Sequence, residues 1–181
     1  TSPSTLLRVT IKNIISLHFF LLLSISGFAG NFTPTHDSII RFYKSLEKKY
    51  SQCKLVKAGE TDIGRPLHLF IVSANKVFEA KKLREQGKLF LLINNGIHPG
   101  EPDGINACME WSRDLLKNKS LPKDVVILII PTYNVDGTLN RGCCSRANQM
   151  GPEAYGFRGN AQNLDLNRDF IKCDSKNAES F

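Results

Sequence analysis

Two short apolar runs with a helical pattern between them constrain the fold of this chain more than any other feature. Residues 88–93 and 125–130 are continuously apolar apart from Lys88, which is typical of strands buried on both faces of a sheet. Residues 103–118 carry apolar side chains at helical spacing. Such a strand–helix–strand unit is right-handed in nearly all folds, so both strands end at the same edge of the sheet.

The segments around this unit predict the rest of an α/β fold. We expect a mixed, mainly parallel sheet flanked by helices, in one domain over residues 30–181 that is incomplete at its C-terminal end. The other predicted elements are a helix over 37–50, strands over 54–60 and 67–73, and a short helix within 76–87.

A histidine and a glutamate lie three residues apart in the loop that follows the first apolar run. Pro99 and Gly100 separate His98 from Glu101 and prevent a regular helix, so the loop can turn both side chains toward one point. Neutral imidazole and carboxylate are ligands that suit Zn²⁺. Ligands of open α/β sheets bind at the carboxyl ends of strands, where this pair falls. The alternative is a solvated His–Glu pair, which this motif alone leaves open.

Further polar segments follow the second apolar run. Residues 134–137 should lie beside the loop of His98, although a turn is their simplest interpretation. A long loop over 138–163 is rich in Gly, Asn, Arg and Gln, and loops of such length are often functional. It leads into a polar cluster that ends at residue 170. The arginines of this loop are Arg141, Arg146 and Arg158.

Taken together, these segments resemble the zinc metallocarboxypeptidases, the M14 peptidase family. The resemblance extends from about Asp37 to the end of the chain, and it implies a carboxypeptidase-like fold. It also implies an exopeptidase that hydrolyses the C-terminal peptide bond of peptides or proteins with a metal-activated water. The matching motifs are His98-Pro-Gly-Glu101, Asn134-Val-Asp-Gly137, and the stretch from Arg158-Gly-Asn through Asp165-Leu-Asn-Arg168 to Phe170.

The resemblance implies how a metal would be held. His98 and Glu101 become two of the three protein ligands of a catalytic Zn²⁺, and Asp165 becomes the carboxylate that orients His98 through its other ring nitrogen. The family's third ligand, a histidine, and its general-base glutamate lie further downstream, and no histidine follows Arg168. We therefore expect both beyond residue 181, in a longer enzyme of which this chain alone is inactive.

The resemblance also implies how a substrate would be held. Arg158 polarises the scissile carbonyl, with Arg146 as the competitor for that role, while Asn167 and Arg168 grip the terminal carboxylate of the peptide. Two other functions stay open. One is a related zinc amidohydrolase that deacylates N-acyl amino acids, and the other is a non-catalytic module that binds carboxylates.

The N-terminal residues predict an exported protein. Arg8 and Lys12 precede an apolar run over 14–25, and small residues follow it up to Ala29, as in a secretory signal. We expect a signal peptide over 1–29, a periplasmic or extracellular location, and no stable membrane association after cleavage. An uncleaved N-terminal anchor is the alternative.

Charge and cysteine content narrow the class of protein further. The formal net charge is +7, but the lysines are scattered and form no basic stripe interleaved with aromatic residues, which argues against nucleic-acid binding. The five cysteines are odd in number, so at least one is unpaired within the chain. Cys143 and Cys144 are adjacent and cannot easily bridge each other, so we expect small buried or loop thiols.

Overall fold

The computed structural model of the chain describes residues 33–146, 149 and 151–180. The predicted signal peptide over 1–29 lies outside these residues. Within them, no helix has the length and apolar character that crossing a membrane requires.

A mixed four-stranded sheet forms the centre of the described region. Its strands are β1 (Cys53–Glu60), β2 (Pro66–Val72), β3 (Leu89–Asn94) and β4 (Val125–Ile130), in the spatial order β1–β2–β4–β3. β3 and β4 are parallel, as expected for a strand–helix–strand unit, whereas β1–β2 and β2–β4 are antiparallel. The predicted mixed sheet flanked by helices is confirmed, but these four strands are not mainly parallel. The tight turn over 61–65 reverses the chain, so β2 runs against β1.

The helices and a small hairpin surround this sheet, and most predicted bounds differ from the observed ones by one or two residues. Within the segment 134–137, predicted as a turn, Asn134 instead caps a short helix that begins at Val135. The elements are α1 (His36–Lys49), α2 (Ala80–Glu85), α3 (Asp103–Lys117), α4 (Val135–Leu139), the paired strands β5 (Arg141–Gly142) and β6 (Tyr155–Gly156), a 3₁₀ turn (Leu166–Arg168), and α5 (Lys176–Glu179).

The main core lies where α1 and α3 pack against the sheet. α1 begins after Thr35, whose Oγ1 accepts a hydrogen bond from the Ser38 amide at 3.2 Å. Tyr43 of α1, Ile105 of α3 and Phe70 of β2 then belong to one cluster of buried side chains. Burial of this apolar stripe positions the strands whose carboxyl ends carry the polar loops.

β3 is more exposed than its sequence predicts. Leu89, at 67 % exposure, is the extreme of four consecutive exposed apolar side chains that extend to Leu92. The apolar run predicted a strand buried on both faces. In the described region β3 is instead an edge strand that pairs only with β4, and this position explains its exposure.

The cysteines differ from expectation at one place. Cys143 and Cys144 are joined by a disulfide, although adjacent cysteines were expected to stay unbridged. Cys53 and Cys108 are buried thiols and Cys173 is an exposed one, as the small-thiol interpretation predicted.

Candidate active site

The loops that follow β3 and β4 lie side by side, as the right-handed crossover predicts. The Tyr133 amide donates to the carbonyl of Asn95 at 2.7 Å, and the Asn134 amide donates to the carbonyl of Gly96 at 3.1 Å. Gly96 has a φ of +66°, and a Cβ there would lie 2.9 Å from Thr132 Oγ1. Only glycine tolerates both this backbone conformation and this approach. The loop that carries His98 and Glu101 therefore leaves the edge of the sheet at a tightly defined position.

His98 stands between two carboxylates. Its Nε2 lies 2.8 Å from Asp165 Oδ1, and its Nδ1 lies 3.6 Å from Glu101 Oε1. Only 9 % of the imidazole side chain is exposed. Because an ionised carboxylate can only accept, Nε2 carries the proton of the neutral ring, which leaves Nδ1 as the electron-pair donor on the side of Glu101.

The spacing of these two atoms is compatible with one zinc ion bound between them. With bonds of ~2.0–2.2 Å and tetrahedral angles, two ligand atoms of zinc lie about 3.4 Å apart. The observed separation of His98 Nδ1 and Glu101 Oε1 is 3.6 Å. In the part of the chain that the structure describes, no group of three or more His, Cys, Asp and Glu side chains is arranged to hold a metal ion. These residues therefore fit two ligands and an orienting carboxylate, without a third ligand.

Asp165 connects His98 to an arginine. Its Oδ2 accepts hydrogen bonds from Arg158 Nε at 3.2 Å and Nη2 at 3.0 Å, and its Oδ1 accepts one from the Asn167 amide at 3.0 Å. Burial alone would raise the pKa of Asp165, but the hydrogen bonds from His98, the Asn167 amide and Arg158 lower that pKa to about 2. Arg158 Nη1 also lies 3.8 Å from Glu101 Oε1, so His98, Asp165, Arg158 and Glu101 form a closed ring of side-chain contacts.

The Asn134–Gly137 segment holds the backbone on which Arg158 sits. Asn134 Oδ1 accepts from the Gly137 amide at 2.8 Å and caps α4, while its Nδ2 donates to the carbonyl of Arg158 at 2.9 Å. A Cβ on Gly137 would lie 2.4 Å from the carbonyl oxygen of Phe157 and 2.7 Å from that of Gly159. This segment was predicted as a turn. The hydrogen bond from Asn134 and the close approach of Gly137 connect it to the backbone around Arg158, and the local sequence does not reveal these contacts.

Arg146 also reaches the candidate site, from the long loop before β6. Its Nη2 donates a short hydrogen bond to Glu101 Oε1, and its Nη1 is buried without a hydrogen-bond partner among the described residues. The side chain is only 24 % exposed, so most of it is shielded from solvent. The sequence could not place Arg146 because residues 138–163 show no periodicity. Arg141 instead anchors the loop by donating to the carbonyls of Thr33, Pro34 and Ala154.

A cavity of about 240 Å³ lies against the candidate ligands. His98, Glu101 and Asn167 line it together with residues 94, 96 and 97. Arg168 follows Asn167 in the chain and is exposed, but it does not line this cavity. Its Nη1 donates to the Asn167 carbonyl at 3.1 Å. The structure thus brings the two candidate ligands, Asp165, Arg158 and Asn167 together, but it does not place Arg168 in the cavity wall.

Comparisons with known proteins identify the family of the chain. A family model described as "Peptidase_M14: Zinc carboxypeptidase" matches residues 39–180. No curated protein shows a significant sequence match to the chain.

Solved structures with the same fold are longer than this chain. A putative carboxypeptidase A from Shewanella denitrificans is 19 % identical with a TM-score of 0.62, and the match covers 83 % of this chain and 36 % of that one. A metallo-carboxypeptidase from Burkholderia cenocepacia is 19 % identical with a TM-score of 0.59, covering 80 % and 35 %. Carboxypeptidase A from Helicoverpa armigera is 15 % identical with a TM-score of 0.52, covering 72 % and 33 %. The chain therefore spans about a third of the length of these structures.

Proposed function

Because the chain belongs to the zinc carboxypeptidase family of M14 peptidases, we propose that it is part of a zinc-dependent exopeptidase that hydrolyses the C-terminal peptide bond of peptides or proteins. The resemblance drawn from the sequence motifs is confirmed by the family match over residues 39–180. The observation that carries the proposal is the position of His98, with one ring nitrogen on Asp165 and the other 3.6 Å from Glu101.

In this proposal His98 and Glu101 hold the metal and Asp165 keeps the imidazole oriented. When bound, zinc supplies a Lewis acid that polarises a carbonyl and lowers the pKa of water. The hydrogen bond between His98 Nε2 and Asp165 directs Nδ1 toward the Glu101 side. Short, fully formed contacts of this kind keep the ligands in place before substrate arrives.

The arginines and Asn167 hold the substrate. Arg158 is 42 % exposed and lies beside Glu101, so its guanidinium can donate to the oxygen of the scissile carbonyl and stabilise the negative charge that develops there. Asn167 lines the cavity, and the guanidinium fork of Arg168, the next residue in the chain, is exposed and matches a terminal carboxylate in its donors. These two residues select for a free C-terminus.

Hydrolysis by the natural protein that contains this sequence tests the proposal. N-acyl dipeptides with a free C-terminal carboxylate are expected to be cleaved, and the matched C-terminal amides at least 100-fold more slowly. A chelator should abolish cleavage and zinc should restore it. Arg168→Gln is expected to raise KM for the free-carboxylate substrate, whereas Lys172→Gln, at another exposed position, should not.

Other outcomes would assign other functions. Equal cleavage of the carboxylate and amide substrates would contradict a carboxypeptidase. Preferential deacylation of N-acetyl amino acids would identify the related amidohydrolase. Binding of C-terminal carboxylates without any turnover would identify a binding module.

Export is proposed from residues 1–29 alone. Arg8, Lys12 and the apolar run that follows support cleavage near Ala29 and release into a periplasm or outside the cell. N-terminal sequencing of the secreted protein should give a first residue close to Gly30. Recovery of an intact N-terminus in the membrane fraction would favour an anchor instead.

A further inference from the structure

An exposed disulfide lies close in sequence to the arginine that contacts a candidate ligand. Cys143 and Cys144 are adjacent and joined to each other, and both residues are exposed. Arg146 follows two residues later, and its Nη2 donates a hydrogen bond to Glu101 Oε1. Exposed disulfides are the ones that thiols reach and reduce most readily, so this bridge is a candidate for a reversible chemical change beside the site.

The backbone after the bridge is held by a buried tyrosine. The Arg146 amide donates to the hydroxyl of Tyr155 at 3.2 Å, and Tyr155 itself is only 2 % exposed. Hydrogen bonds with the Ser145 side chain and with the backbone of residues 144–146 lower the pKa of Tyr155, against the effect of burial. The position of Arg146 therefore depends on the conformation of the backbone that leaves the bridge.

The bridge lies between an anchored residue and this segment. On one side, Arg141 donates to three backbone carbonyls and fixes the chain. At the bridge, Cys144 has a φ of +68°, in the left-handed region that residues other than glycine seldom adopt. An open bridge leaves Cys144 free to return to a common backbone conformation. Because Arg141 is anchored, the resulting displacement falls on residues 145–146.

We propose that the Cys143–Cys144 bridge is a redox-sensitive site that a dithiol opens, and that its opening releases Arg146 from Glu101. In this exchange a thiolate of the dithiol attacks one sulfur of the bridge and displaces the other as a thiolate. The second thiol of the reagent then closes the reagent's own disulfide. The reagent gives up two electrons and two protons, and Cys143 and Cys144 become thiols.

Release of Arg146 should strengthen metal binding, a consequence that rests on the proposed function. Glu101 Oε1 accepts from Arg146 and is also the oxygen that lies 3.6 Å from His98 Nδ1. A guanidinium and a zinc ion on the same carboxylate oxygen repel each other, because both are positive. The bridged protein is therefore the form of lower zinc affinity, and reduction of the bridge raises that affinity.

Hydrogen exchange and alkylation test the release without any metal. The natural protein that contains this sequence is compared in its bridged form, after reduction by dithiothreitol, and as Cys143→Ser/Cys144→Ser. Dithiothreitol should make both cysteines reactive to an alkylating reagent without denaturant. In both open forms the amides of residues 145–146 should exchange roughly five- to tenfold faster, as expected for one lost hydrogen bond. Exchange in β2 should stay the same and thus report an intact fold.

Three results of these measurements would overturn the inference. The first is a pair of cysteines that reacts with the alkylating reagent before any reductant is added. The second is a bridge that dithiothreitol opens only in denaturant. The third is unchanged exchange at residues 145–146 in both open forms.

Zinc affinity tests the consequence in a variant that adds no thiol or reductant as a competing ligand. Cys143→Ser/Cys144→Ser should bind zinc roughly tenfold more tightly than the bridged protein, measured with a chromophoric chelator. In an Arg146→Gln background the same double substitution should have no effect, because glutamine puts no positive charge on Glu101. Cys173→Ser removes an exposed thiol outside the bridge and should leave the affinity unchanged.

The two measurements separate failure of this inference from failure of the proposed function. If exchange rises on opening but none of the proteins binds zinc, the redox-sensitive site stands and the zinc hypothesis is wrong. If exchange rises but the bridged and open forms bind zinc equally, Arg146 is not released from Glu101 and the inference is wrong. A gain in affinity that persists in the Arg146→Gln background would also overturn it.

Discussion

Asp165 does more for the candidate site than any other single residue, because it organises a ligand and an arginine at once. One of its oxygens accepts from His98, and the other accepts twice from Arg158. Its pKa is lowered to about 2, since the hydrogen bonds outweigh the effect of burial. The carboxylate therefore stays ionised across the neutral range and holds both partners in one geometry.

Replacement of this carboxylate by an amide should weaken zinc binding. In Asp165→Asn, one side-chain oxygen remains to accept from both His98 and Arg158, so the imidazole loses its fixed tautomer. We expect a loss of roughly 10–100-fold in zinc affinity, measured by competition with a chromophoric chelator. Asp124→Asn is the matched control, because the Asp124 side chain is 89 % exposed. Equal affinities of the two variants would contradict a positioning role for Asp165.

α4 is the element that couples the sheet to the arginine segment. Residues 131–134 connect it to β4, and its cap residue Asn134 donates a hydrogen bond to the carbonyl of Arg158. Gly137 lies in van der Waals contact with the backbone over residues 157–159, where a side chain has no room. The short helix thus transmits the position of the strand end to the guanidinium in the site.

A methyl group on Gly137 should disturb this coupling. Gly137→Ala places Cβ 2.4 Å from a backbone carbonyl oxygen, so the segment that carries Arg158 must move, at a cost of about 1–3 kcal/mol. Gly142→Ala is the control, because a Cβ there meets nothing within 4 Å, and its effect should stay within about 0.5 kcal/mol. Urea denaturation measures both, and comparable stability of the two variants would show that the close approach at Gly137 is unimportant.

The contact between α1 and β2 contains two histidines, and it should weaken in acid. Burial lowers the pKa of His36 from 6.5 to about 4, helped by His68 and Arg65 and opposed by Asp37. Burial and the nearby Lys44 and Lys57 also lower the pKa of His68, whereas a backbone hydrogen bond at Pro66 raises it. As pH falls below 6.5, the unfolded chain binds a proton at His36 that the folded chain does not bind, so folding stability decreases until about pH 4.

Comparison of unfolding at two pH values isolates this effect. Between pH 7 and pH 4.5, the unvaried chain should lose on the order of 1–2 kcal/mol more stability than His36→Gln, because glutamine does not titrate. Carboxylates elsewhere contribute equally to both proteins and cancel in the difference. Identical pH dependence of the two proteins would show that His36 is solvated in the folded state.

The sequence predicted the parts of the molecule that depend on local pattern. The strand–helix–strand unit follows from apolar runs and helical spacing, and the meeting of the two loops follows from the handedness of the crossover. The family resemblance was also recoverable, since motif order is a property of the chain itself. The roles of His98, Glu101, Arg158, Asp165, Asn167 and Arg168 stay predictions.

Features that depend on long-range contacts could not be predicted. The exposure of β3 and the antiparallel pairings of β2 depend on which strands become neighbours. The approach of Arg146 to Glu101 depends on a loop without periodicity. Which buried polar atoms lack a partner among the described residues is also invisible in sequence, because it depends on the folded neighbours of each atom.

The nitrogen resonances of His98 test the zinc hypothesis most directly. In a zinc titration of the ¹⁵N-labelled chain, Nδ1 should shift to the range of a metal-bound nitrogen, while Nε2 keeps its proton and its hydrogen bond to Asp165. Glu101→Gln should weaken this response, whereas Glu110→Gln on the exposed face of α3 should not. Resonances of His98 that stay unchanged at saturating zinc, or a metal bound at Nε2, would contradict the hypothesis.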